Sequence, residues 1–510
     1  MLAIQKNLTK SFFAMLSLPA TAMGFALSVQ IAALSWILST QYGLDIHDVG
    51  LVWAAGPIAG ILGQVIIGIV SDKVWFWGGR RRPFILIGGV LAALMLLALP
   101  NIDVIAAAMG VEGILGVALV VALTLDLAIN VSFNPTRSII ADVTPEGTAR
   151  TQGYTWMQTI SGTFGVLAYG IGAVYSNYVL IYAGAVLVLL FSIIPPFFVK
   201  EPRSLEWDGE DDEVGPLGTQ AQPDPDVLQR DLEVSASAKS DASVGEIIRT
   251  IEPLWGFFIY AVYAMALRLT GIDVGHYYVE FGLLALTVLL IARSLMKSEA
   301  GKTKAEAGKI GFQKVLAAHA FTWVGVQTMF VYMFAYVQDT MPGLGDDEVG
   351  SVLNISFLIF NAVAAILPAF VLEPITERIG RVRTHLSCIA IMAVGYAGIL
   401  FAGTTPLIIY SLMAVCGVGW AATVSLPFAI MSQKVDQARM GLYMGLFNLS
   451  VVLPQLVASL GIGEIVSQAD DKSVIFVICA GSLALSAAAW LFVREGEEET
   501  TGALATAGGH

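Results

Sequence analysis

Apolar residues in this chain gather into long runs separated by short polar and charged segments. The runs near 12–38, 48–70, 83–100, 113–136, 153–174, 177–199, 252–269, 275–293, 315–337, 348–371, 384–402, 405–430, 440–462 and 473–493 predict fourteen helices of membrane-spanning length, because about 20 apolar residues cross a bilayer's hydrocarbon core. The first run exceeds the roughly 7–15 residues of a signal-peptide core and is read as a retained helix. The expected fold is an all-α polytopic membrane protein in five segments: 1–200, an N-terminal six-helix half; 201–245, an acidic cytoplasmic linker; 246–311, an inserted hydrophobic hairpin and basic connector; 312–494, a C-terminal six-helix half; 495–510, a disordered tail. The two halves read as parallel repeats related by an axis along the membrane normal. NPTRSIIADVTPEG from Asn134 and LPFAIMSQKVDQ from Leu426 both place a proline late in a span ahead of a charged loop. An alternative for the insert is that its two segments, near the length limit for spanning, lie along the membrane surface.

Charge fixes the expected orientation. With the N-terminus inside, 24 of the 27 lysines and arginines fall on the cytoplasmic side, Arg268 and Lys472 outside, and Arg137 within or just below a span. This is the positive-inside bias, so both termini are expected to be cytoplasmic. The most basic loop, SDKVWFWGGRRRPFI from Ser71, has a weaker echo at Glu377, Arg378, Gly380, Arg381 and Arg383. The chain is 56% hydrophobic and 13% charged, about half the charge of an average soluble domain, and no soluble catalytic domain remains once the spans are removed. The net charge of -13 belongs largely to residues 201–245, with 12 acids against three basic residues, and to the glutamates after Arg494. Cys388, Cys416 and Cys479 lack metal or disulfide spacing. Phosphate-loop, metal-cluster and nucleophile-elbow motifs are absent, as is a dense basic face for nucleic acid. A non-enzymatic secondary transporter without cofactor or metal is the expectation.

A charge at the bilayer centre costs roughly 2.5–3.5 kcal/mol on insertion scales and persists where it faces a cavity or a partner. Asp126 is such a residue, and Asn130, Asn134 and Arg137 follow it on the same helical face. Asp126 is expected to bind the coupling proton and Arg137 to donate hydrogen bonds to substrate or to gate Asp126; the plainer reading is a polar network locking helices together. Arg137 stands about 16 Å along the axis from Asp126 at 1.5 Å per residue, too far for a direct pair. The amides Gln30, Gln158, Gln327, Asn354, Asn448 and Gln455, drawn from both halves, are candidates to line one cavity with donors and acceptors for hydroxyls. His319 reads as a packing histidine, and Asp339 either caps a helix or lines the cavity mouth. Asp72 with Arg80, Arg81 and Arg82 reads as both a topology signal and a gate latch.

The run from Leu27 to Ile85, with Gln30, Trp53, Gly56, Pro57, Ser71, Asp72 and GRRRPFI, resembles the sucrose-proton symporters of the glycoside-pentoside-hexuronide branch of the major facilitator superfamily. So do Asp126 and Arg137 at eleven-residue spacing in a pattern ending at Asp142, Thr322-Trp323, and LFNLSVVLPQLVASLG from Leu446. The resemblance implies a major facilitator fold and proton-coupled import of a sugar or glucoside of the sucrose, maltose or glucose class by alternating access. It also implies that Asp126 is the proton carrier and that Arg137 is required for sugar. Trp323 is the candidate for stacking on a sugar face, and Asp142, Arg378 and Arg381 join the gating set. The expected partners are sugar, protons and lipid, in a monomer of the inner membrane. The rivals are a proton-coupled exporter of a drug or anionic metabolite and a non-transporting sensor or assembly factor on the same fold. The insert and the partial match of QDTMPG around Asp339 depart from the family pattern.

Overall fold

The computed structural model describes residues 8–60, 74–144, 148–201, 244–272, 274–435 and 439–495. Asp72, most of 201–245 and the tail after 495 lie outside the described residues, as does the side chain of Asn134.

The first half contains α1 (Lys10–Thr40), α2 (Ile46–Trp53, with helix resuming over 55–60), α3 (Arg82–Ala98), α4 (Ile102–Met109), α5 (Ile114–Val143), α6 (Thr148–Val174) and α7 (Asn177–Phe198). The insert contributes α8 (Val244–Thr250), α9 (Trp255–Thr270) and α10 (Tyr278–Met296). The second half contains α11 (Lys304–Thr340), α12 (Asp346–Leu367), α13 (Glu373–Ile379), α14 (Arg381–Ala402), α15 (Pro406–Ser432), α16 (Met440–Val457), α17 (Gly463–Gln468) and α18 (Val474–Trp490). Ten of the described helical stretches are long and apolar enough to cross a bilayer; the chain is a multi-pass membrane protein of two six-helix halves with an inserted hairpin.

Helix ends follow local chemistry. Thr9 caps α1 by accepting from the Phe12 amide, and Thr303 and Glu306 form a capping box at the start of α11. That box sets α11 eleven residues ahead of the apolar run at 315. Its 37 residues span about 55 Å, so several polar turns project beyond a core of about 30 Å. Pro135 and Pro427 sit inside α5 and α15, tolerated where neighbouring helices satisfy the freed carbonyls.

The repeat is visible in hydrogen bonding. After α7 the chain reads FVKE to Glu201, and after α18 it reads FVRE to Glu495, with Val199 and Val493 buried in both cases. Glu201 accepts from the amides of Arg80, Arg81 and Arg82 at 2.7, 2.9 and 2.8 Å, where α3 begins. Glu495 accepts from those of Arg381 and Val382 at 2.8 and 3.1 Å, where α14 begins. A carboxylate at a helix N-terminus satisfies orphan amides and opposes the helix dipole.

The hairpin stands upright beside α11. Lys297 at its base binds Glu252 at 2.6 Å and Gln313 at 2.8 Å near one end of α11, and Lys314 pairs with Glu299 at 2.8 Å with both side chains buried. Tyr277 in its turn reaches Gln468 at the opposite end of the bundle. Polar contacts thus tie Lys297 and Tyr277, at the two ends of α10, to the second half.

Candidate functional site

Asp126 lies in the middle of α5, where an aliphatic helix provides no water to a carboxylate. Its Oδ2 accepts from Gln30 Nε2 of α1 at 2.9 Å, and both side chains are buried at 5% and 2% exposure. Gly56 completes the wall: a Cβ there would stand 3.4 Å from each Asp126 oxygen, so a glycine admits the carboxylate without a competing side chain. Asn130 ties back to the Asp126 carbonyl at 2.8 Å. Arg137 shares the face further along the helix. It is exposed, its guanidinium carbon lies 4.2 Å over the Phe133 ring, and its carbonyl accepts from the Tyr154 hydroxyl at 3.3 Å. The partner brought to Asp126 is thus a neutral amide. The remaining Gln30 oxygen is buried and has no hydrogen-bond partner among the described residues.

The second half offers amides and indoles of its own. Gln455 Nε2 donates to the buried Gln327 Oε1 at 3.1 Å. The Trp323 indole donates to His319 Nε2 at 2.9 Å, and His319 stacks on Phe447 at 4.9 Å and 19°. The hydrogen bond and the stacking place His319 where it orients Trp323. Sequence reasoning missed Trp420: its indole donates to Asn361 at 3.2 Å, it lies flat on Phe360 at 5.5 Å, and Trp323 meets its edge at 5.9 Å. Asn448 is half-buried on the same helix as Gln455, and Gln158 is exposed on α6.

Asn354 sits apart from these amides. It is fully buried and donates to Asn177 Oδ1 at 2.7 Å, joining α12 to α7 across the two halves. This bond belongs to a seam at the end of the bundle carrying Trp36. There Trp36 Nε1 donates to the Asp346 carbonyl at 2.9 Å, Ser35 to the Val331 carbonyl at 2.9 Å, and Ser351 to the Ala173 carbonyl at 3.2 Å. His47 and Glu464 approach at 3.4 Å. Glycines let the backbones meet: a Cβ on Gly50 would fall 2.5 Å from the Ser459 carbonyl, and one on Gly350 2.7 Å from Asn177 Nδ2. A five-residue π turn, Ala458–Ile462, leaves the carbonyls of Ala458 and Ser459 to the Tyr332 hydroxyl at 3.1 and 3.2 Å. Asp339 accepts from the Lys472 amide, in the loop ahead of α18, at 3.3 Å.

At the other end, Arg81 Nε pairs with Asp142 Oδ2 at 3.1 Å, both side chains 8% exposed. This bond links α3 and α5 within one half. Arg80 and Arg82 give their amides to Glu201, Arg381 gives its amide to Glu495, and Arg378 is exposed on α13. The two glutamates anchor the backbone at the basic motifs, and the FVKE and FVRE echo was their readable signal.

The sequence model of the Major Facilitator Superfamily matches residues 16–459. The General alpha-glucoside permease of Schizosaccharomyces pombe is 32% identical over 153 residues, covering 27% of this chain and 28% of that protein. The matched stretch thus spans under a third of that relative's length. The Sucrose transport protein SUT2 of Oryza sativa subsp. indica is 24% identical over 505 residues, covering 87% of this chain and 85% of that protein. Among solved structures, the inward open conformation of the xylose transporter XylE from E. coli aligns with a TM-score of 0.57 at 13% identity, covering 96% of this chain and 97% of that one.

Proposed function

Because the chain belongs to the Major Facilitator Superfamily, we propose that it imports a neutral sugar or glucoside of the sucrose, maltose or glucose class together with a proton, by alternating access. The observation that carries this reading is the buried Asp126–Gln30 pair. A carboxylate at mid-bilayer is costly as a permanent charge. Gln30 can serve both protonation states: its NH2 donates to the carboxylate, and half a turn of the amide presents Oε1 to a protonated Asp126. Gain and loss of a proton therefore leave the packing intact, as a cycling site requires.

The polar and aromatic groups of the spans support the substrate class. Gln327, Gln455, Asn361 and Asn448 offer donors and acceptors, Trp323 and Trp420 offer aromatic surface, and Arg137 supplies a forked donor suited to vicinal hydroxyls. An organic anion would call for a surplus of cations that these residues do not provide. The names of the glucoside and sucrose relatives point the same way. The bias of lysine and arginine supports placing the Arg81 end in the cytoplasm with both termini, in an inner membrane, with the chain acting as a monomer. In that orientation the structure is sealed outside at Trp36–Asp346 and Asn177–Asn354, while Arg137 is exposed on the inner side. The acidic stretch 201–245 then serves as a cytoplasmic linker between the halves.

Competition for uptake in vesicles under an imposed pH gradient tests the assignment. Sucrose, maltose or glucose should compete, and uronates and lipophilic cations should not. Inhibition confined to the charged compounds would overturn it.

A further inference from the structure

The inserted hairpin makes a polar contact with the seam between the halves. Glu464 of α17 uses one carboxylate oxygen toward His47 of α2 at 3.4 Å. Its other oxygen receives Gln468 Nε2 at 2.5 Å and the Tyr277 hydroxyl at 3.4 Å. Gln468 also donates to the Tyr277 hydroxyl at 2.6 Å. Tyr277 lies in the turn between α9 and α10, so the hairpin reaches past α11 to hold the residue that bridges the halves. We propose that Tyr277 is a positioning residue of the outer gate: the hairpin turn holds Glu464 toward His47 and so sets how long the seam stays closed.

Three features support a gating role over plain packing. His47 and Glu464 belong to different halves, so their contact must part whenever the seam opens. The hairpin is fixed to the second half along its length: Tyr260 packs against the backbone of Gly461, and Lys297, Glu299 and Glu246 bind Gln313, Lys314 and Lys309 of α11. Tyr277 therefore moves with Glu464 and away from His47. The charges around His47 are Asp45 and Asp48 of its own turn, Glu464 across the seam and Arg268 of the hairpin, so the insert contributes a cation as well as a hydroxyl to this corner. The reading depends on the two halves separating at this end and is independent of which solute is carried.

The test uses full-length protein in sealed vesicles bearing Ser351→Cys, a position inside the seam, with an impermeant maleimide added outside. The native cysteines Cys388, Cys416 and Cys479 are buried. Misplacing Glu464 weakens the His47 contact of the closed state, so Tyr277→Phe should raise the labelling rate about threefold to tenfold, the worth of one hydrogen bond, and Gln468→Ala should do the same. Combining either with His47→Ala should add little, because one clamp is broken twice. A role in packing alone predicts additive effects. Labelling unchanged in both Tyr277→Phe and Gln468→Ala, or full additivity with His47→Ala, would overturn the proposal. Failure of sugar competition with labelling still enhanced would count against the substrate assignment and leave the gate intact.

Discussion

Gly50 is a point of close backbone approach in the outer seam. A methyl group there would meet the Ser459 carbonyl and the Tyr332 hydroxyl at 2.5 Å each, and the carbonyl is backbone that cannot rotate aside. Gly50→Ala therefore penalises the closed seam by the usual cost of overpacking, about 1–3 kcal/mol, while the state open at that end, where α2 leaves the Ser459 region, bears none of it. Differential stabilisation of that size moves the equilibrium by roughly 5- to 150-fold. In the Ser351→Cys background, outside labelling of Gly50→Ala should speed up by a factor in that range, and net uptake should fall because the carrier returns inward less often. Tyr332→Phe removes one of the two clashes and should recover part of the effect. Labelling of Gly50→Ala at or below the parent rate would refute the idea that these backbones part during transport.

Glu201→Ala removes a buried carboxylate that accepts from three backbone amides and should cost on the order of 3 kcal/mol or more, whereas Glu495→Ala removes an exposed carboxylate that accepts from two and should cost less than half of that. Thermal inactivation half-lives in detergent rank the two; equal losses would contradict the comparison. Arg137→Lys keeps the charge but loses the planar fork, so transport should fail, and retention of more than about half would make Arg137 a residue whose head merely reaches the interface. Replacing 245–302 with a flexible linker should leave measurable uptake while speeding outside labelling at Ser351→Cys, since α1–α7 and α11–α18, with the Thr303 cap of α11, stay whole. A folded, membrane-inserted but inactive product would make the insert essential to the cycle.

The spans were legible because long apolar runs admit few other readings, and Asp126 because a lone charge in such a run is conspicuous. The same logic could not find Gln30 as its partner: the two are 96 positions apart, and every amide in a span looks alike until helices pack. Asn354 illustrates the limit. By composition it resembles Gln327, yet it lies in the seam against Asn177, because depth along a helix and the identity of the facing helix are tertiary facts. The extra turns of α11 were readable in Thr303 and Glu306, a capping box lying outside the apolar window that drew attention to 315–337. Glu201 and Glu495 act through backbone amides, so the arginines of the basic loops drew notice while their carboxylate anchors, over 100 residues away, did not.

The central claim is that Asp126 couples proton to sugar, and sugar-evoked alkalinisation of a lightly buffered medium, recorded for the parent chain and Asp126→Asn in cells or sealed vesicles, measures it directly. The asparagine keeps the size and a partner for Gln30, so the seam and the amides should survive. The parent should alkalinise the medium when sucrose, maltose or glucose is added and should accumulate the sugar against its gradient. Asp126→Asn should reach the membrane yet show neither response. Alkalinisation and accumulation at the parent level in Asp126→Asn would contradict the claim and leave Asp126 as a structural contact between α1 and α5.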